Sequence, residues 1–90
     1  MQKALVSVTG QDKVGIIAKV STALCEQNIN ILDISQTILS GCFTMLMVVD
    51  LQGTQESFQQ IADRLAELGG NIGVMISIQR MDLFAAMHRV

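Results

Sequence analysis

The hydrophobic period switches between two and about 3.6 in a fixed order along this chain, and that order leaves few folds open. Lys3 to Thr9 alternates, with Ala4, Val6 and Val8 on one side and Leu5, Ser7 and Thr9 on the other, the mark of a strand. Gly10-Gln11-Asp12-Lys13 reads as a turn, after which Ile16, Ile17, Val20, Ala23 and Leu24 recur at helical spacing as far as Gln27-Asn28. Asp12 is placed to cap the start of that helix. Ile29 to Leu39 is rich in β-branched residues, Ser40-Gly41 is a turn pair, and Cys42 to Leu51 alternates again, which predicts an antiparallel hairpin. Gln52-Gly53 breaks the pattern. Thr54 and Ser57 then open a second helix whose stripe of Phe58, Ile61, Ala62, Leu65 and Leu68 is expected to stop at Gly69-Gly70. Ile72, Val74, Ile76 and Ile78 alternate as a fourth strand, and Asp82 begins a short amphipathic tail with Phe84 and Met87.

The order β-α-β-β-α-β interleaves two right-handed crossovers around a central hairpin. It predicts an α+β, ferredoxin-like architecture: a four-stranded antiparallel sheet with both helices on one face. With 90 residues, half of them apolar, the chain reads as a single domain over 1–90 that closes one core without staples. The longest apolar runs, Met45 to Val49 and Leu83 to Met87, have five residues, against the roughly 18 to 20 that a membrane helix needs. No membrane segment is expected, and Met1-Gln2-Lys3 leads into a strand with no cleavage site, which places the chain in the cytoplasm. Six Lys and Arg face eight Asp and Glu, and there is no Trp or Tyr, so neither a phosphate-tracking stripe nor a stacking platform exists for nucleic acid.

Every strand offers an apolar face to the helices. The opposite face carries Leu5, Ser7 and Thr9, then Cys42, Thr44, Leu46 and Val48, then Met75, Ser77 and Gln79, with no charge among them. A wetted sheet face normally shows Lys and Glu at such positions. A cover is therefore expected, from the Met81 to Val90 tail, from a second copy, or from both.

The residues that bear chemistry are scattered. Cys25 and Cys42 lie seventeen apart with no C-x-x-C, so no zinc or dithiol site is expected, and both are predicted to behave as small buried hydrophobes. His88 is the only histidine and has no orienting partner or companion ligand in sequence. The serines and threonines have no histidine within the same segment to activate them. No catalytic constellation emerges, no cofactor is implied, and the chain is read as a binding module and not an enzyme. Gly10-x-x-x-x-Gly15 stands between a strand and a helix, but Ile16-Ile17 follow where a phosphate loop needs Lys and then Ser or Thr. Two readings stay open for these glycines: a turn with close helix packing, or an exposed helix start that, beside Asp12, holds a molecule with both a carboxylate and an ammonium.

The run Val8-Thr9-Gly10-Gln11-Asp12-Lys13-Val14-Gly15-Ile16-Ile17, followed by Leu24 and Asn28-Ile29-Asn30-Ile31, resembles the opening half of an ACT domain. Asp33-Ile34-Ser35-Gln36-Thr37, Phe43-Thr44-Met45, Val74 to Gln79 and Phe84-x-x-Met87 extend the likeness over nearly the whole chain. They are similar to single-domain bacterial and archaeal ACT proteins and to the ACT halves of the glycine cleavage system's transcriptional repressor. The resemblance implies a regulatory module that binds an amino acid where the first turn and helix start of one domain meet the second strand of a neighbour. It therefore implies a homo-oligomer, a dimer or larger, and a regulated protein partner. Carried onto this sequence, the ligand-binding residues are Gly10, Asp12, Lys13, Gly15 and Ile16 from the turn, and Asn30, Ile31 and Asp33 from the second strand. Val14 stands where many family members carry Pro, which leaves the loop less preorganised. A structural or adaptor protein that uses the same sheet only for protein contacts is the alternative reading.

Overall fold

The computed structural model describes residues 2–81. Its elements are β1 (Lys3–Gln11), α1 (Ile16–Glu26), β2 (Asn30–Leu39), β3 (Cys42–Asp50), α2 (Phe58–Ile72) and β4 (Val74–Arg80). The strands form one sheet in the order β2-β3-β1-β4, and every neighbouring pair is antiparallel. This is the ferredoxin-like arrangement that the alternation of periods implies.

The alternating strands bury the side expected of them. Ala4, Val6, Val8, Phe43, Met45, Met47, Val49, Val74 and Ile76 are buried together with Ile16, Val20 and Leu24 of α1 and Ile61 and Leu65 of α2. α2 lies along β4 and α1 toward β2. β1 runs two residues past Thr9, because Gly10 and Gln11 still pair with Phe43 and Cys42. The hairpin turn is made by Ser40 and Gly41, both at positive φ (52° and 78°), the combination that matches the twist of a two-residue turn.

Four expectations are corrected. Asp12 does not cap α1: the N-cap is Gly15, in the left-handed region, and no side chain accepts from the helix start. The loop spends three more residues turning before the helix begins. α2 does not stop at Gly69-Gly70 but runs through them to Ile72 and ends at Gly73 (φ 79°, ψ 29°). Gly69 is needed for proximity, since a Cβ there would lie 2.6 Å from the Val74 carbonyl oxygen; Gly73 supplies the left-handed cap. Ile72 consequently belongs to the last turn of α2, and β4 starts at Val74. Cys25 and Cys42 are both exposed, because the first sits on the flank of α1 toward β2 and the second on the open face of the sheet. The tail from Asp82, with Phe84, Met87 and His88, lies outside the described residues.

The far face is assembled as expected from the uncharged interior positions of β1, β3 and β4, with Asp33 of β2 added beside Val48. Register places Leu5 beside Val48 and Gln79, Ser7 beside Leu46 and Ser77, and Thr9 beside Thr44 and Met75. Leu46 and Met75 are 43% and 74% exposed, so nothing within residues 2–81 covers this face.

Candidate functional site

The strand directions divide the candidate residues between two ends of the molecule. Gly10, Asp12, Lys13, Gly15 and Ile16 cluster at the end where β1 rises into α1, beside the Ser40-Gly41 turn and the end of α2. The Asp12 amide donates to the Gly41 carbonyl at 3.0 Å, which anchors the loop to the hairpin. Gly10 is wedged against β4, where a Cβ would lie 3.0 Å from Val74 Cγ1. Lys13 Nζ donates to the Ile72 carbonyl at 3.4 Å, at the end of α2 where the helix dipole is negative. A Cβ on Gly73 would collide with that ammonium.

Gly15 at φ 89° starts α1 with no side-chain cap, and the first intrahelical bond runs from Lys19 N to Gly15 O at 3.0 Å. The amides of Ile16, Ile17 and Ala18 therefore have no partner within the helix and form an anion-favouring end. Ile16 itself is buried and its side chain belongs to the core, while Val14 beside it is fully exposed.

Asn30, Ile31 and Asp33 lie at the other end, where α1 turns into β2. The 11 residues of α1 rise about 16 Å between the two groups. Asn30 pairs with Asp50 on the face away from the helices, and Ile31 pairs with Val49 on the helix side, where it packs on the core. A bulge at Leu32 resets the register, so that Asp33 pairs with Val48 on the far face and accepts the Ile34 amide at 2.8 Å. Within one protomer the structure thus brings together the five residues of the turn, and separately the three of β2, but not the two sets.

A hollow of about 460 Å³ opens at the β2 end, lined by Ser21, Cys25, Asn28, Ile29, Asn30 and Ile31. Asn28, itself in the left-handed region at φ 60°, donates its side-chain amide to the Gly53 carbonyl at 2.8 Å. Sequence reasoning missed Ser21, Cys25 and Asn28. Ser21 and Cys25 are one turn apart on a flank of α1 where no apolar stripe draws attention to them, and Asn28 lies just past the helix end, where helical spacing carries no signal. A larger groove of about 600 Å³ between α1 and α2 contains none of the candidate residues, and its Glu56 is paired with Arg64 at 2.7 Å. Among the described residues no group of three or more His, Cys, Asp or Glu is placed to hold a metal, and no helix is long and apolar enough to cross a membrane.

The ACT domain family pattern matches residues 2–79, from the first strand to the last. The chain belongs to the ACT domain family. ACT domains are regulatory modules that bind small molecules. This ACT domain is 49% identical over 90 residues to a UPF0237 protein of Bifidobacterium longum, covering the whole of both chains. An ACT domain protein from Streptococcus pneumoniae superposes with a TM-score of 0.83 at 38% identity, over 92% of this chain and 93% of that one. A protein provisionally described as a glycine cleavage system transcriptional repressor superposes with a TM-score of 0.77 at 23% identity, over 88% of this chain and 45% of that one. That likeness extends to the fold alone.

Proposed function

We propose that this chain is a stand-alone cytoplasmic ACT domain over residues 1–90 that binds an amino acid at a site completed by a second copy. The binding energy then reaches a regulated protein partner as a shift in assembly or affinity. One observation carries the reading. The two sets of candidate residues sit at opposite ends of α1, about 16 Å apart, whereas the backbone of one amino acid spans only about 3.6 Å. No single ligand reaches both within a protomer.

A twofold axis beside β2 removes the difficulty. Nine of the ten residues of β2 are exposed, the strand contains one charge, Asp33, and no Lys or Pro, and such an edge is a template for pairing. Antiparallel pairing of β2 with its symmetry mate sets the Asn30 end of one protomer against the Asp12 end of the other. The unpartnered amides of α1 then face the ligand's carboxylate, and Asp12 accepts from its ammonium.

Complementation tests this directly. By calorimetry with a panel of amino acids, Asp12→Ala and Asn30→Ala each bind about 10- to 150-fold more weakly as pure proteins, and a co-refolded mixture regains parent affinity at about half of the expected heterodimer's sites. A mixture with no recovery contradicts a site shared between subunits.

The adaptor reading is favoured by a different observation, the open sheet face of residues 2–81, uncharged across the interiors of β1, β3 and β4. It becomes the better account if no amino acid binds the parent protein while a partner or second copy still does.

A further inference from the structure

We infer that the hollow beside α1 receives the side chain of the bound amino acid and restricts the ligand to uncharged amino acids, with Ser21 and Cys25 determining the choice. The inference rests on the shared site proposed above. It concerns a part of that site, the outer flank of α1, to which the sequence assigns nothing.

The walls set the selectivity. Ser21, Cys25, Asn28, Ile29, Asn30 and Ile31 include no carboxylate, ammonium or guanidinium. Ile29 is buried and Ile31 half-buried, so the floor is apolar. Ser21 and Cys25, at i and i+4, lie one turn apart along one flank of α1, and Asn28, just past the helix end at φ 60°, closes that side. Asn28 is held by its bond to Gly53, so that wall is preorganised.

Asp33, the one charge on β2, pairs with Val48 on the face of the sheet away from the helices and does not line the hollow; the other charges of the site are at the opposite end. Asp12, Lys13 and the uncapped start of α1 belong to the turn, and pairing of the β2 edges brings the turn of one protomer to the hollow of the next. The α-ammonium and α-carboxylate of a ligand are thereby matched, and its side chain points along α1 into a hollow with no counter-charge. A charged side chain placed there sheds water without compensation, which costs far more than an uncharged one. At about 460 Å³ the hollow is too roomy to discriminate by size, so exclusion acts through charge.

The experiment is calorimetry of glycine, serine, asparagine, leucine, aspartate and lysine against the parent, Cys25→Phe, Cys25→Arg and Asp12→Ala, with the unliganded melting of each recorded. Cys25 is exposed, so both replacements are compatible with the fold. The parent is expected to prefer uncharged ligands over aspartate and lysine by about tenfold or more. Cys25→Phe narrows the hollow on the α1 side and weakens leucine or asparagine relative to glycine, which has no side chain to place. Cys25→Arg moves the preference toward aspartate. If Asp12→Ala abolishes binding but the ranking is the same in all Cys25 variants, or if a charged ligand binds the parent best, the hollow is not the side-chain pocket and the shared-site reading stands. If no amino acid in the panel binds the parent, both are overturned.

Discussion

Asp12 illustrates how a residue's role depends on where its loop ends. As a helix cap its loss would cost about 1 kcal/mol, but the structure caps α1 with Gly15 and leaves the Asp12 side chain exposed. Asp12→Ala is therefore expected to change unliganded stability by no more than about 0.5 kcal/mol. It should reduce amino-acid affinity by about 10- to 150-fold, the worth of one hydrogen bond to a charged group. Melting and calorimetry on the same preparation separate the two, and a large loss of unliganded stability would return Asp12 to a structural role. Gln27 makes the opposite case. It is 5% exposed at the end of α1, and neither of its amide atoms has a hydrogen-bond partner among the described residues. Gln27→Met keeps the shape and removes the unpaired dipole, so denaturant unfolding should show a gain of about 1 kcal/mol. A loss instead would reveal that a bound water satisfies the amide in solution.

At the scale of elements, α2 shows why glycines mislead a reading along the chain. Gly69-Gly70 resembles a stop, yet the helix continues to Ile72 and terminates at Gly73. Its start is more legible: Ser57 accepts from the Gln60 amide, and the Gln60 side chain accepts from the Ser57 amide, a complete capping box. The difference is physical. A cap is local chemistry between residues three apart, whereas the need for a glycine at 69 arises from β4, which joins the packing only once the sheet is formed. Gly69→Ala should accordingly destabilise the domain, although Ala favours helix by about 1 kcal/mol; overpacking against the Val74 backbone is expected to cost about 1 to 3 kcal/mol. Urea unfolding of Gly69→Ala beside Gly70→Ala provides the control, because a Cβ at Gly70 meets nothing within 4 Å. If Gly69→Ala is as stable as Gly70→Ala, the close approach is not a constraint in solution.

At the scale of the molecule, residues 2–81 leave two surfaces open, the outer edge of β2 and the far face of the sheet. The edge offers unpaired backbone groups, and Ile34 and Ile38 beside it are 45% and 56% exposed. The face offers Leu46, Met75 and their uncharged neighbours. A dimer or larger assembly at micromolar concentration is the expected result of sedimentation. Leu46→Lys, in the middle of the far face, should disrupt assembly more than folding, since a charge left unpaired in a dry interface costs several kcal/mol. Native mass spectrometry and melting on the variant decide it: unchanged mass together with unchanged melting means the face is solvent and only the edge is used.

Period-two and period-3.6 patterning, turn pairs and the capping box are properties of residues close in the chain. The order of elements, the side of each strand that is buried, the hairpin and the family resemblance were therefore all legible in the linear sequence. The uncharged far side of β1, β3 and β4 was legible for the same reason, because alternation assigns each residue to one side before any packing occurs. Exposure of Cys25 and Cys42 was not, since it depends on which flank of α1 meets β2 and on what covers the sheet. Nor was the division of the candidate site. Asp12 and Asn30 are eighteen positions apart in the chain, and only the course of α1 between them sets them at opposite ends of the protomer.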